Sequence, residues 1–199
     1  MNLQSDRREY WSESFVGLDF SGLEIAGKEF DGCSFTECNF TETMFKNCNF
    51  VDSEFSKCNL SVMVIEYSKF SDVVFHECKI IGVNWTKVSW PGLLLSAPVK
   101  FFKCILTDSS FLGQKLPDIV MEQCKAHHVD FRDGDFSNAE FAYTDFSGSL
   151  FSNTNLTGAN FCEASNYDID IYNNIIKQAK FTRFEAVSLL ESLEIELHD

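Results

Sequence analysis

The stretch FDGCSFTECNFTETMFKNCNFVDSEFSKCNL, residues 30–60, carries a large apolar side chain at every fifth position: Phe30, Phe35, Phe40, Phe45, Phe50, Phe55 and Leu60. An α-helix repeats its buried face every 3.6 residues and a strand every second residue, so neither produces a period of five. Outward from this stretch the register holds from Phe15, Phe20 and Ile25 to Ile80, Trp85 and Trp90, sixteen positions without a miss. It slips by one residue through PGLLLSAPVK (91–100). It resumes at Phe101, Leu106, Phe111, Leu116 and Met121, weakens at Ala126, and recovers at Phe131, Phe136, Phe141, Phe146, Phe151, Leu156 and Phe161. Echoes follow at Ile171, Ile176 and Phe181.

The residue two before each centre is mostly small or slim, as at Cys33, Cys38, Ser53, Cys58, Val83, Ser109, Ala139 and Thr154, and the other three positions are largely polar. A unit that buries one large and one small residue and exposes three is one side of a turning coil. Four sides close a square of about twenty residues, and stacked coils pair like parallel strands at about 4.8 Å. Residues twenty apart then lie over one another. This predicts aromatic ladders of Phe15, Phe35, Phe55 and Phe75 and of Phe111, Phe131 and Phe151. It also predicts thiol files of Cys38, Cys58 and Cys78 and of Cys104 and Cys124. The expected class is all-β, a quadrilateral parallel β-helix about 35–40 Å long at that spacing.

Such a tube needs closed ends. Residues 1–14 read as an N-terminal cap with Tyr10 and Trp11 as lids. Residues 15–90 and 101–181 read as two solenoid segments, with Trp85 and Trp90 sealing the first. The interruption 91–100 reads as a bent corner that tucks Leu93, Leu94 and Leu95 onto the wall, or as a protruding contact loop. Residues 182–199 break the pattern. Thr182 with Glu185 forms a capping-box signature for a helix, on which Phe184, Val187, Leu190 and Leu193 share a face. Glu194-Ile195-Glu196-Leu197 alternates like a strand.

The formal charge is −14, which disfavours direct contact with nucleic acid or an anionic membrane and favours a basic protein surface. No stretch reaches the roughly 18 apolar residues of a membrane span, and MNLQSDRREYW lacks the apolar core of a secretion signal. A cytoplasmic location is expected. Seven of the eight cysteines sit at the small inward position, where packing suits them better than disulfides or metal. His127 and His128 beside Cys124 match no recognised zinc spacing. No phosphate loop, nucleophile elbow or zincin motif occurs, so no catalytic residue, cofactor or metal is assigned and the chain reads as a non-enzyme. Charge is banded. Residues 19–54 hold eight acids and two bases, 55–128 six acids and eight lysines, and 130–170 eight acids and one base. Asp130, Asp135, Glu140 and Asp145 occupy four consecutive equivalent positions, one per side of one coil.

The segments CNFTET, FSNAEF, TDFSGS and TNLTGANF resemble the pentapeptide-repeat family, whose unit is a slim residue, Asp or Asn, Leu or Phe, a small polar residue, then Gly or Asn. That resemblance covers about residues 15–165 and implies a right-handed coil, the hand of the general crossover rule. Within the family the ending LLESLEIEL (189–197), the loop at mid-chain and the acidic C-terminal third are similar to the quinolone-resistance (Qnr) group. That similarity implies a homodimer joined through C-terminal helices, here by Phe184, Val187, Leu190 and Leu193. It also implies a DNA-mimicking rod that binds a type II topoisomerase such as DNA gyrase or topoisomerase IV. Asp130, Asp135, Glu140, Asp145 and Leu93, Leu94 and Leu95 would be the contacts. The uninterrupted run 15–90 and the lysine-rich middle depart from that group, and a scaffold with an unrelated partner is the other reading.

Overall fold

A computed structural model describes residue 3, residues 6–92 and 97–193, and residues 195 and 198. Backbone pairing runs in four files, which form the four walls of a tube. On the first wall Tyr10, Phe30, Phe50 and Phe70 are in parallel register. On the second, Phe15, Phe35, Phe55, Phe75, Phe101 and Met121 follow one another, and the file continues through Glu140 and Asn160 to Phe161 and Phe181. Bridges from Asp19 through Asn39, Asn59, Lys79, Ile105, Lys125 and Asp145 to Ser165 make the third. Ile25, Phe45 and Ile65, then Asn84, Ser110, Asp130 and Leu150, make the fourth. The result is a parallel β-solenoid of about eight turns.

Nearly all described corners fall two residues after a wall centre and turn on a left-handed residue, though Lys87 after Trp85 lies in a 3-10 turn. Glycine serves at Gly22 (φ 66°), yet most corners use side-chain-bearing residues such as Asp52 (φ 46°), Lys57 (φ 53°) and Val62 (φ 52°). Non-glycine residues give up about 1–2 kcal/mol in this region. Pairing with the neighbouring coil offsets that: Glu37 N–H donates to Ser56 O at 2.9 Å, and Glu54 N–H to Cys33 O at 2.8 Å.

The core is a column of rings. Phe15 stacks on Phe35 at 4.7 Å, Phe35 on Phe55 at 4.6 Å, Phe55 on Phe75 at 5.0 Å and Phe75 on Phe101 at 5.2 Å. Phe111, Phe131 and Phe151 form the second ladder, at 5.7 and 5.0 Å. Such pairs contribute about 0.5–1.5 kcal/mol each beyond area burial. Trp85 is not an end seal. It is fully buried and stacks on Phe111 across the interruption, so one core runs through both halves. Tyr10 belongs to the register and stacks on Phe30, whereas Trp11 is exposed on the outer wall.

The small inward residues have a second role. The Cys58 thiol donates to Phe35 O at 3.3 Å and accepts from Cys38 N–H at 3.4 Å. Ser53 and Ser68 accept from Cys33 N–H and Cys48 N–H at 3.1 and 3.0 Å. These contacts satisfy buried backbone groups that would otherwise cost about 1–3 kcal/mol each. Burial raises the Cys48 and Cys104 thiols above the ordinary range. Seven of the eight cysteines are buried and free, with Cys162 half-exposed.

Two features of the C-terminal region depart from expectation. The last coil slips: Ile169, not Ile171, bridges back to Phe151, and Tyr167 fills the core where the five-residue count falls on Asn166. The expected capped α-helix is instead a 3-10 helix, Glu185–Leu193. The Thr182 hydroxyl is occupied by the last coil, accepting from Glu163 N–H at 2.6 Å, and so does not cap Glu185. A 3-10 helix repeats every three residues, so Ala186 and Leu189 face the tube while Phe184, Val187, Leu190 and Leu193 line up in another row. Of the tail 194–197, Ile195 is exposed outside any element and the rest lies outside the described residues.

Candidate interaction surface

With the interior filled, chemistry is confined to the walls and corners. Asp130, Asp135, Glu140 and Asp145 each precede a core phenylalanine and fall on the fourth, first, second and third walls of a single coil. They are half-buried and anchored. Asp135 accepts from Asn155 Nδ2 at 2.9 Å and from Ser137 N–H at 3.0 Å. Glu140 accepts from Asn160 Nδ2 at 2.6 Å. Both anchors are neutral amides one coil on, and among the described residues neither carboxylate has an ion-pair partner.

The other two have titratable side chains among their partners. Asp130 takes two bonds from the Arg132 guanidinium at 2.8 and 2.9 Å, and that hydrogen bonding holds its carboxyl below the ordinary range. Asp145 accepts from Ser147 Oγ at 2.6 Å, Asn166 Nδ2 at 2.9 Å and His127 Nε2 at 2.9 Å. Partial burial pushes its carboxyl up, but these donors prevail and hold it well below the carboxylate range. His127, read as a weak metal candidate, is thus spent on Asp145.

Leu93, Leu94 and Leu95 lie outside the described residues, though the place of their loop is fixed. Phe75 pairs with Phe101, a step of 26 residues, where Phe55 pairs with Phe75, a step of 20. The six extra residues fall at the corner between the first and second walls, after Trp90 and before Phe101. That corner carries Asp52 and Asp72 above the loop and Asp118 below it, all exposed. Asp72 pairs with Lys100 at 3.4 Å. The sequence reading examined the position before each centre and missed this file. Comparing residues two after each centre at intervals of twenty would have found it.

At the end of the tube, Phe184 is 86% exposed and Val187 47%. Leu190 and Leu193 are half-exposed in the same row. Tyr167 beneath them is buried without a hydrogen-bond partner for its hydroxyl, and burial, reinforced by Glu185, pushes it up to about 12.

No curated protein matches the chain. Among solved structures, three preparations of QnrB1, a plasmid-mediated fluoroquinolone resistance protein, have the same fold. A trypsin-treated variant matches with a TM-score of 0.65 at 19% identity, covering 96% of this chain and 100% of the other. A second trypsin-treated variant gives 0.52 at 21% identity over 96% and 92%. The full-length protein gives 0.52 at 19% identity over 94% and 100%. The family profile described as the pentapeptide repeat region matches residues 28–99 and 85–161, most of the tube, and the chain belongs to the pentapeptide-repeat family.

Proposed function

We propose that the protein is a non-enzymatic acidic rod that binds the DNA-gripping surface of a type II topoisomerase, DNA gyrase or topoisomerase IV, and shields it from quinolones or toxins. The observation that carries this reading is the anchoring of Asp135 and Glu140 on adjacent walls by Asn155 and Asn160. Carboxylates fixed before binding lose little entropy when they meet lysines and arginines. The fold likeness to a fluoroquinolone resistance protein supports the choice of target. DNA carries about one charge per 1.7 Å and this tube far fewer, so the mimicry is partial and rests on specific acids and the loop at 91–100.

The active form would be a cytoplasmic homodimer joined by the row Phe184, Val187, Leu190 and Leu193, whose exposed apolar side chains support an end-to-end seam. A supercoiling assay with quinolone tests the proposal. Added protein restores supercoiling, and Asp135→Asn with Glu140→Gln removes the effect. Unchanged inhibition together with no gyrase capture would transfer the protein to the scaffold reading, which its lysine-rich middle favours.

A further inference from the structure

On this acidic molecule one surface is basic. Lys57 and Lys103 occupy the corner between the second and third walls, and Lys79 and Lys125 stand on the third wall beside it. All four are exposed, and among the described residues none has an ion-pair partner. They come from successive coils, so they form a stripe climbing about 4.8 Å per coil. On the third wall Lys79 and Lys125 bracket half-exposed Ile105 in direct register. The stripe ends at Asp145, whose carboxylate is already occupied by His127, Ser147 and Asn166.

We propose that this stripe docks an acidic segment of a partner protein in the polyproline II conformation, with two carboxylates three residues apart. Lys79 and Lys125 are two coils apart, about 10 Å, and one polyproline II turn, three residues at about 3.1 Å each, spans nearly the same distance and returns the side chain to the same face. The carboxylates meet the two ammonium groups and the turn between them crosses Ile105. A nucleic acid fits less well. Exposed Glu77 stands between Lys57 and Lys103 at the same corner, and half-exposed Glu122 and exposed Asp108 flank the third-wall lysines, where a second strand or a broad backbone would meet like charge.

The stripe abuts the acidic coil proposed for gyrase at Asp145 but uses different residues, so its test is separate. Fluorescence anisotropy is measured with a labelled twelve-residue peptide bearing glutamate at every third position and proline between, at low and at physiological salt. The expected result is saturable binding that weakens with salt. Lys79→Glu with Lys125→Glu weakens it at least ten-fold, at an unchanged melting temperature, and Lys177→Glu with Lys180→Glu leaves it unaltered. The proposal is overturned by absence of saturable binding, by equal affinity in the Lys79/Lys125 variant, or by tighter binding of an oligothymidylate of matched charge.

Discussion

Trp85 and Phe111 stack across the break in register at 91–100, with centroids 5.5 Å apart and ring planes 8° from parallel. The insertion therefore interrupts the sequence and leaves the core intact. The coil above and the coil below meet as if the loop were absent.

That continuity predicts how the loop can be removed. Deleting residues 93–98 restores a twenty-residue step and leaves Gly92 at the corner. Deleting 92–97 restores the same step but leaves Pro98 there. The equivalent corners Asp52 and Asp72 have φ of 46° and 52°, and proline is held near −65°. The first variant should melt within a few degrees of the parent, while the second loses about 1–3 kcal/mol through backbone strain. Equal melting of the two would refute the corner assignment.

Val62 is a β-branched residue at φ 52°, a conformation rarely adopted by such side chains. It is half-exposed and its backbone N–H donates to Ile81 O at 2.7 Å, a bond any residue but proline keeps. Val62→Asn or Val62→Gly should stabilise the protein by about 1 kcal/mol, read from urea denaturation midpoints.

Asp145 should confer a specific pH dependence. Its folded carboxyl lies below the unfolded value of about 3.9, so its contribution is complete above that pH and is lost as pH falls through the folded value. Asp145→Asn should lower stability at pH 7 by about 1 kcal/mol, the scale of a hydrogen-bonded charge lost. The deficit should shrink as denaturation is repeated at pH 4 and then pH 2.5. A deficit that stays constant over this range would show that the charge of Asp145 contributes nothing.

Phe184 exposes nearly all of its side chain. Phe184→Glu with Val187→Glu should turn a dimer into a monomer in light scattering, with little change in melting of the tube itself, because Ala186 and Leu189 make the contacts to the core. A monomeric parent would exclude the seam.

The five-residue period made the tube, its ladders and the thiol files legible, because one buried side chain per wall leaves no other way to close a core. Two features were hidden. The slip at Tyr167 and Ile169 puts apolar residues off the count, and only packing shows which of Ile169 and Ile171 points inward. The C-terminal 3-10 helix was also concealed, since a spacing of three at Phe184, Val187, Leu190 and Leu193 suits it as well as a loose α-helical face. The acidic coil was found by position, but the unequal partners of its members were not. Arg132 pairs with Asp130 and His127 bonds Asp145 through side-chain contacts that no repeat register encodes.

The thiol chemistry leaves a practical handle. Seven sulfur atoms are sealed behind the walls and engaged with carbonyl oxygens, while Cys162 alone reaches the surface. A maleimide dye or spin label applied to the native protein should therefore attach at a single site, beside the last coil. Distances measured from that site in an assembled pair would report how the two tubes meet.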